Sequence, residues 1–477
     1  MAVDTTNDYE YENDGLTREL VERTLVLAQK GDLLGIRKAI EAMNPSVAAS
    51  VLGYLDEDTR ATIFRCLHKD EAAAIFTYLD SDVRIQLVSY LSAPEKNDKL
   101  KARVRSMIDE MPADDAADLV DEMRDELPAN LVEAILSGMD PTQRAEVNSI
   151  LNYPEGSAGS IMTLEYIILR EDITVAEALA QVRKQGEGKE TIYNCYAVGT
   201  GRKIVGDVSL RDIILSADDT LIHDIMSTPV IYAHTQDDQE AVAAKFQEYD
   251  LLSMPVVDKE ERIVGIITID DVVDVIEEEN TEDFEKMAAL RPADDEYLKT
   301  GVFELARNRI VWLLILMISA TFTGGIISHF QGILMREALL ASFIPMLMDT
   351  GGNCGAQVST LMIRGMAVGE LDLSDCFRVL WKELRVGCVV AFVLCTINLV
   401  RMIVFVDNLT KSVAIIVNAT LFVTIVCAKL VGCVLPMGAK RLGFDPALMA
   451  SPMLTTVVDS LTLAIYFFIA SHFLAFA

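Results

Sequence analysis

The sequence contains few of the residues from which enzyme active sites and metal centres are usually built. Its five histidines are scattered without the spacing that metal ligands need. None of its eight cysteines forms a C-x-x-C pair, which counts against both a zinc site and a disulfide framework. A phosphate-binding glycine loop and a nucleophile motif are also missing from the sequence. We therefore expect a protein that is not an enzyme.

Basic residues are scarce in the first 300 positions, where 29 of them stand against 62 acidic residues. The rest of the chain has 12 basic and 10 acidic residues. This imbalance argues against nucleic acid as a partner and favours the binding of cations, although a merely solvated acidic surface would give the same composition. Because no secretory signal precedes the polar N-terminus, we expect residues 1–300 to be cytosolic.

A period of twelve residues organises the first part of the chain. Leucines recur at positions 55, 67, 79 and 91, each following a short helical pattern with a polar start. Asp140 and Pro141 supply an N-cap followed by proline at the first helical position. Short helices of this kind bury their apolar faces only by stacking. The pattern predicts an all-α helical solenoid over residues 20–152, behind an acidic flexible tail at 1–19.

A second kind of repeat follows, because the stretch 204–212 (IVGDVSLRD) is echoed at 263–271 (IVGIITIDD). Each copy reads as strand, turn, strand and a Ser- or Thr-capped helix. Together the copies resemble a tandem pair of α/β CBS modules over residues 157–278. The resemblance implies ATP as a possible ligand, with ribose contacts expected at Ser209, Asp212, Thr268 and Asp271. A scaffold without nucleotide is the alternative.

An acidic connector helix is expected over residues 279–305, continuing a carboxylate-rich run that begins at Asp271. Carboxylates spaced by three and four residues repel one another on adjoining helix faces. A hard divalent cation would remove that repulsion through oxygen ligands. A solvated run of charge is the alternative interpretation.

Five apolar stretches predict a transmembrane domain of five helices over residues 306–477. They lie at about 310–330, 338–363, 386–406, 412–437 and 446–475, each close to the length of about 20 residues that spans a bilayer. Arginine and lysine concentrate in alternate loops. The positive-inside rule therefore predicts a multi-pass protein of the cell (inner) membrane, with its N-terminus cytosolic and its C-terminus outside.

Two of these stretches carry polar groups at the depth of the membrane. Asp459 lies near the middle of the last stretch, close to Thr455 and Thr456. An isolated charge there is costly, so such residues usually face water or the interior of a bundle. A protonated Asp459 bonded to a neighbouring helix is the alternative.

The second stretch contains Pro345, Asp349 and the sequence GGNCGAQ at 351–357. We interpret it as a broken helix beside a solvated cavity, with the close packing of small residues as the alternative. The candidate pore-lining residues are Gly351, Gly352, Asn353, Gln357, Thr455 and Thr456.

The chain resembles the MgtE family of magnesium channels in the order of its solenoid, CBS pair, acidic connector and five spans. It also shares three motifs with that family: GGNCGAQ, Asp445-Pro446-Ala447 and the run from Pro452 to Asp459. That resemblance implies a homodimer that conducts Mg2+ past Asp459 of both subunits and closes when cytosolic Mg2+ binds. The implied sensing residues are Asp114, Asp115, Asp118, Asp238, Glu240, Asp250, Asp271, Asp274, Glu279, Glu282 and Asp283.

Two other functions remain open from the sequence. In a proton-coupled antiporter of divalent cations, Asp459 would carry the proton. In a membrane-tethered nucleotide sensor, the spans would serve only as an anchor, which gains nothing from polar groups at mid-membrane depth. For a channel or an antiporter, the expected partners are the lipid bilayer and divalent cations.

Overall fold

The computed structural model describes residues 20–24, 26–27, 30–92, 98–288, 290–291, 300–407, 409–449 and 451–475. The predicted tail at 1–19 and residues 292–299 of the predicted connector lie outside this set. The chain divides into two compact units, Met1–Ile276 and Glu277–Ala477.

The first unit begins with short helices whose spacing confirms the twelve-residue period, since four successive helices start at Pro45, Glu57, Lys69 and Ser81. The Asn44 and Asp56 side chains cap two of them, each accepting a backbone N–H at 3.0 Å. The helices are α1 (Leu33–Ile40), α2 (Pro45–Gly53), α3 (Glu57–Cys66), α4 (Lys69–Thr77), α5 (Ser81–Ser92), α6 (Asp98–Ile108), α7 (Ala113–Glu126), α8 (Ala129–Leu136) and α9 (Pro141–Ile150).

Alternate helices of this region pack against each other. Helix α2 contacts α4, α3 contacts α5, α4 contacts α6 and α5 contacts α7. Phe64 and Phe76 meet edge to face in the shared core, with ring centroids 6.3 Å apart. Each short helix therefore buries its apolar face on the next layer, which is the stacking expected of a helical repeat.

Two small sheets of the same topology follow. In each, the first strand pairs with the second in parallel and the second pairs with the third antiparallel. The first module contains β1 (Ile168–Arg170), α10 (Val175–Gln185), β2 (Asn194–Val198), β3 (Ile204–Ser209), α11 (Leu210–Leu215) and α12 (Ile222–Ile225). The second contains β4 (Ala233–His234), α13 (Gln239–Tyr249), β5 (Ser253–Val257), β6 (Ile263–Thr268) and α14 (Ile269–Met287).

The echo between the two modules has a packing reason. A Cβ on Gly206 would lie 2.5 Å from the sulfur of Met226, and a Cβ on Gly265 would lie 2.5 Å from the sulfur of Met162. The absence of a side chain at Gly206 in the first module makes room for Met226, which precedes the second module. In the same way, Gly265 in the second module makes room for Met162, which precedes the first module. The repeat in the sequence marks a reciprocal contact that joins the two modules.

The second unit is helical. Its helices after α14 are α15 (Val302–His329), α16 (Gln331–Arg336), α17 (Ile344–Ala367), α18 (Cys376–Phe405), α19 (Lys411–Leu442) and α20 (Ser451–Ala475). Among the described residues, four helices are long and apolar enough to cross a membrane, within α15, α18, α19 and α20. Helix α17, which corresponds to the second predicted span, falls below that hydropathy because of its polar side chains.

Helix α17 corrects one expectation, because it runs without a break from Ile344 to Ala367. Its glycines serve close packing. A Cβ on Gly351 would lie 2.7 Å from Cγ2 of Thr424, and a Cβ on Gly432 would lie 2.5 Å from the carbonyl oxygen of Gly355. The backbones of α17 and α19 therefore approach closely while the helical hydrogen bonds stay intact.

Candidate ion pathway and cation-sensing residues

Helix α17 has one packed face and one polar face. Asp349, Asn353 and Gln357 are four residues apart, share a helix face and are exposed in this chain. Gly351 and Gly355 are buried on the opposite side against neighbouring helices. The fold therefore turns a row of polar side chains away from the apolar core of the helical unit.

Asp459 extends this polar surface from α20. It is half-buried and lies close enough to Asp349 for the two carboxylates to interact electrostatically. The nearby Thr455 and Thr456 hydroxyls donate to the carbonyl oxygen of Pro452 at 2.9 and 3.0 Å. Two acidic groups thus share one polar surface with hydroxyls whose lone pairs can still accept hydrogen bonds.

Gly351 and Gly352 are buried between helices in this chain, and their expected place in the lining of a pore stays a prediction. A Cβ on Gly352 would lie 3.1 Å from Cγ2 of Thr455, and a Cβ on Gly351 would lie 3.0 Å from Oγ1 of Thr462. The alternative of close packing through small residues holds for these two positions. The exposed side chains Asn353 and Gln357 remain candidates for a pathway.

A buried ion pair among the apolar helices was not anticipated from the sequence. The Lys429 ammonium on α19 lies 3.4 Å from Oε2 of Glu383 on α18, and Lys429 is only 5% exposed. The sequence does indicate that Lys429 has a partner, because a lysine in the middle of an apolar span needs one. It does not indicate which residue the partner is, because Glu383 lies on another helix.

The predicted sensing residues of α7 meet Asp271 within the first unit. Burial, together with the charge of the neighbouring Asp115, raises the pKa of Asp114 to about 7. Burial and the charge of Asp271 raise the pKa of Asp115 to about 6. Burial, opposed by the Thr268 hydroxyl, raises the pKa of Asp271 to about 7, with Asp114 contributing. We call Asp114, Asp115 and Asp271 the acidic cluster; its carboxylates repel one another.

Asp118 lies one turn beyond Asp114 on α7 and is exposed. Within the acidic cluster, Oδ1 of Asp114 is buried and has no hydrogen-bond partner among the residues that the structure describes. Throughout the described residues, however, no three His, Cys, Asp or Glu side chains are already gathered tightly enough to hold one metal ion.

The remaining predicted sensing residues of the first unit are dispersed. Asp238 caps the start of α13 by accepting the Glu240 N–H at 2.9 Å, and Asp250 caps its end in a left-handed conformation. A helix of eleven residues is about 16 Å long, so Asp238 and Asp250 cannot share an ion. Asp274 and Glu240 are exposed.

The part of α14 in the second unit carries Glu279, Glu282 and Asp283. Burial raises the pKa of Asp283, and the nearby carboxylate of Asp445 adds to the effect. Glu282 and Asp445 both bind the ammonium of Lys286. A basic side chain thus stands among the predicted sensing carboxylates of the connector.

The expected ribose contacts occupy equivalent places in the two CBS modules. The Ser209 hydroxyl lies 2.6 Å from Oδ2 of Asp212, and the Thr268 hydroxyl lies 2.7 Å from Oδ2 of Asp271. Asp271 therefore belongs to one of these pairs and also to the acidic cluster. Binding of ATP at either pair stays a prediction.

Family profiles match successive parts of the chain. Residues 344–469 match a divalent cation transporter family, MgtE, and residues 43–156 match the MgtE intracellular N domain. Residues 158–218 and 222–278 each match the CBS domain. The three profiles follow the order of the helical repeat, the paired sheets and the helical unit.

Full-length relatives agree with the profiles. The chain is 36% identical over 446 residues to the magnesium transporter MgtE of Thermus thermophilus, covering 93% of this chain and 96% of the relative. It is 31% identical over 456 residues to that of Bacillus subtilis, with 96% and 98% covered. Among solved structures, the soluble part of a magnesium transporter shares 31% identity at a TM-score of 0.50, covering 55% of this chain and 99% of that one.

Proposed function

The chain belongs to the MgtE family of magnesium transporters, and from this premise we propose that it is a homodimeric channel for Mg2+. Its relatives are named as transporters, which points away from an enzyme. In the proposed arrangement the helical unit crosses the cell membrane several times, the N-terminus is cytosolic and the C-terminus is outside. Mg2+ enters the cell down its electrochemical gradient.

The polar surface formed by α17 and α20 carries this proposal. Asp349, Asn353 and Gln357 are exposed on α17, and Asp459 adjoins them on a helix long and apolar enough to span a membrane. A carboxylate facing hydrocarbon costs at least about 2.5 to 3.5 kcal/mol. The surface is therefore expected to face water and a second copy of the chain, rather than lipid.

A two-fold axis beside this surface would bring two Asp459 side chains together. Mg2+ loses its water reluctantly and is usually held through one or two carboxylates with several waters retained. Two facing carboxylates could hold a hydrated ion without binding it too tightly to leave. A single Asp459 would attract the ion more weakly.

The acidic residues outside the span are proposed to close the channel. At low Mg2+ the carboxylates of the acidic cluster repel one another, and bound cations would relieve that repulsion. A shift from 1:99 to 99:1 between two states needs about 5.5 kcal/mol of differential binding. Several weak sites acting together, among them Asp238, Glu240, Asp250, Asp274 and the connector carboxylates, would supply it.

The test is Mg2+ flux into proteoliposomes with Asp459→Asn, compared with wild type and with Asp407→Asn, a matched change at an exposed residue outside the helices. Removing the charge should lower flux at least about tenfold, equivalent to about 1.4 kcal/mol of ion stabilisation. Asp407→Asn should leave it unchanged. Equal flux in all three proteins would refute the proposed role of Asp459.

Driving force separates the channel from the antiporter. A channel should carry Mg2+ along its electrochemical gradient with the same pH on both sides of the membrane. Flux that appears only with a proton gradient, and that Asp459→Asn uncouples from pH, would replace the channel with a proton-coupled antiporter.

A further inference from the structure

Lys286 lies where two acidic segments of the second unit meet. Its Nζ is 2.8 Å from Oε1 of Glu282, one turn earlier on α14, and 2.8 Å from Oδ2 of Asp445. Asp445 belongs to the segment that leads into α20, the helix of Asp459. One ammonium therefore bridges a carboxylate of the connector and a carboxylate of the proposed pore domain.

The position of Lys286 suits this bridge. It follows Glu282 by four residues, the favourable order for a helical ion pair, and it stands in the last turn of α14, where a positive charge complements the helix dipole. Asp445 is held independently, since its Oδ1 accepts the Ala447 N–H at 2.8 Å and leaves Oδ2 for the lysine. Both ends of the bridge are thus fixed by local structure.

Two further contacts hold the part of α14 that lies in the second unit. Met287 packs against Ile363 of α17 and Ala447. The Arg364 guanidinium donates to the side-chain oxygen of Asn280 at 3.2 Å. Helix α14 therefore rests on the ends of the segments that carry the polar surface, through one apolar and two polar contacts.

We propose that Lys286 is a built-in cation that holds the connector helix on the pore domain without Mg2+. The inference rests on the proposed function, in which cations bridging acidic residues close the channel. The Lys286 ammonium links two carboxylates, as a bridging ion would, and it is present at every Mg2+ concentration. The closed arrangement is therefore partly populated before any ion binds.

The experiment compares wild type with Lys286→Met, Lys286→Arg and the control Lys259→Met, which alters an exposed lysine elsewhere. Mg2+ flux of the full-length protein in proteoliposomes is measured over a range of Mg2+ on the cytosolic side. At the lowest concentration, Lys286→Met should pass about two- to fivefold more Mg2+ than wild type, the range expected of a partly exposed ion pair.

At high cytosolic Mg2+ the Lys286→Met variant should close as fully as wild type, because Glu282 and Asp445 can then be bridged by the ion. Lys286→Arg should behave like wild type, since it keeps the charge, and so should Lys259→Met. At the lowest Mg2+ concentration, Asp445→Asn should reproduce Lys286→Met, because it removes the same ion pair while an asparagine oxygen can still cap Ala447. The double variant should show no larger effect than either single change.

Hydrogen exchange of the 277–287 amides at low Mg2+ gives a readout that does not depend on flux. Exchange should be faster in Lys286→Met than in wild type. Wild-type flux that does not change with cytosolic Mg2+ would contradict the proposed gating. In that case hydrogen exchange would still test the bridge from Lys286. Unchanged exchange and unchanged low-Mg2+ flux in Lys286→Met, with a responsive wild type, would overturn the inference alone.

Discussion

Carboxylates crowd together in both units, but their surroundings differ. In the acidic cluster, burial raises the pKa of Asp114, Asp115 and Asp271, and repulsion among the three adds to it. Arg84, which opposes the rise at Asp115, is also bound to Glu122 at 2.5 Å. At the connector, Lys286 bridges two carboxylates directly. The first group needs protons or metal ions to relieve its repulsion, whereas the second has its own cation. Mg2+ dependence should therefore arise mainly from the first.

The largest effect is expected where a charge pair is most buried. Lys429→Met leaves Glu383 without its ammonium between α18 and α19, which should destabilise the protein by about 3 to 5 kcal/mol. The double variant Lys429→Met with Glu383→Leu should recover most of this loss, because no buried charge remains. Thermal unfolding in detergent measures both.

Lys411→Met, an exposed lysine at the start of α19, is the matched control and should change stability little. If Lys429→Met proved as mild as this control, the pair would not be a buried charge pair that the helices require. Removing a buried charge would then cost no more stability than removing an exposed one.

The next effect concerns pH and the acidic cluster. The folded-state pKa of Asp114 is about 7 against an ordinary 3.8, so the folded protein binds more protons than the unfolded chain between these values. The contribution of Asp114 to stability should therefore be fully present below about pH 4 and be lost as pH rises from about 4 to about 7. Without divalent ions, lowering the pH from 8 to 6 should stabilise the protein by about 1 kcal/mol.

Asp114→Asn should reduce this pH dependence, and it should also reduce the stabilisation that Mg2+ gives at pH 8. The control is Asp219→Asn, which changes an exposed aspartate of the first CBS module. A pH profile that Asp114→Asn leaves unaltered would show that the cluster does not store repulsion in the folded state.

Much of this architecture could be predicted because it follows from repeats of short, contiguous sequence patterns. The twelve-residue repeat fixed the starts of helices such as Pro45 and Glu57, since polar caps and apolar faces are features of neighbouring residues. The paired stretches at 204–212 and 263–271 likewise predicted two equivalent modules. The two CBS matches confirm the second assignment.

Features that depend on contacts between distant residues were harder to foresee. The glycines at 351 and 352 suggested a broken, solvated helix, but their role is set by Thr424 and Thr455 on other helices. The partner of Lys429 could not be chosen from periodicity, and neither could the bridge from Lys286 to Asp445. Sequence patterns located the charged segments, and tertiary packing decided which charges meet.

In the proposed gating, cytosolic Mg2+ closes the pathway by binding the acidic residues. The most direct measurement is Mg2+ flux through purified wild-type protein in liposomes, with no pH gradient, as Mg2+ on the cytosolic face rises from about 10 μM to about 10 mM. We expect flux at the lowest Mg2+ concentration and its progressive loss toward the highest. Flux that stays constant across this range would contradict it.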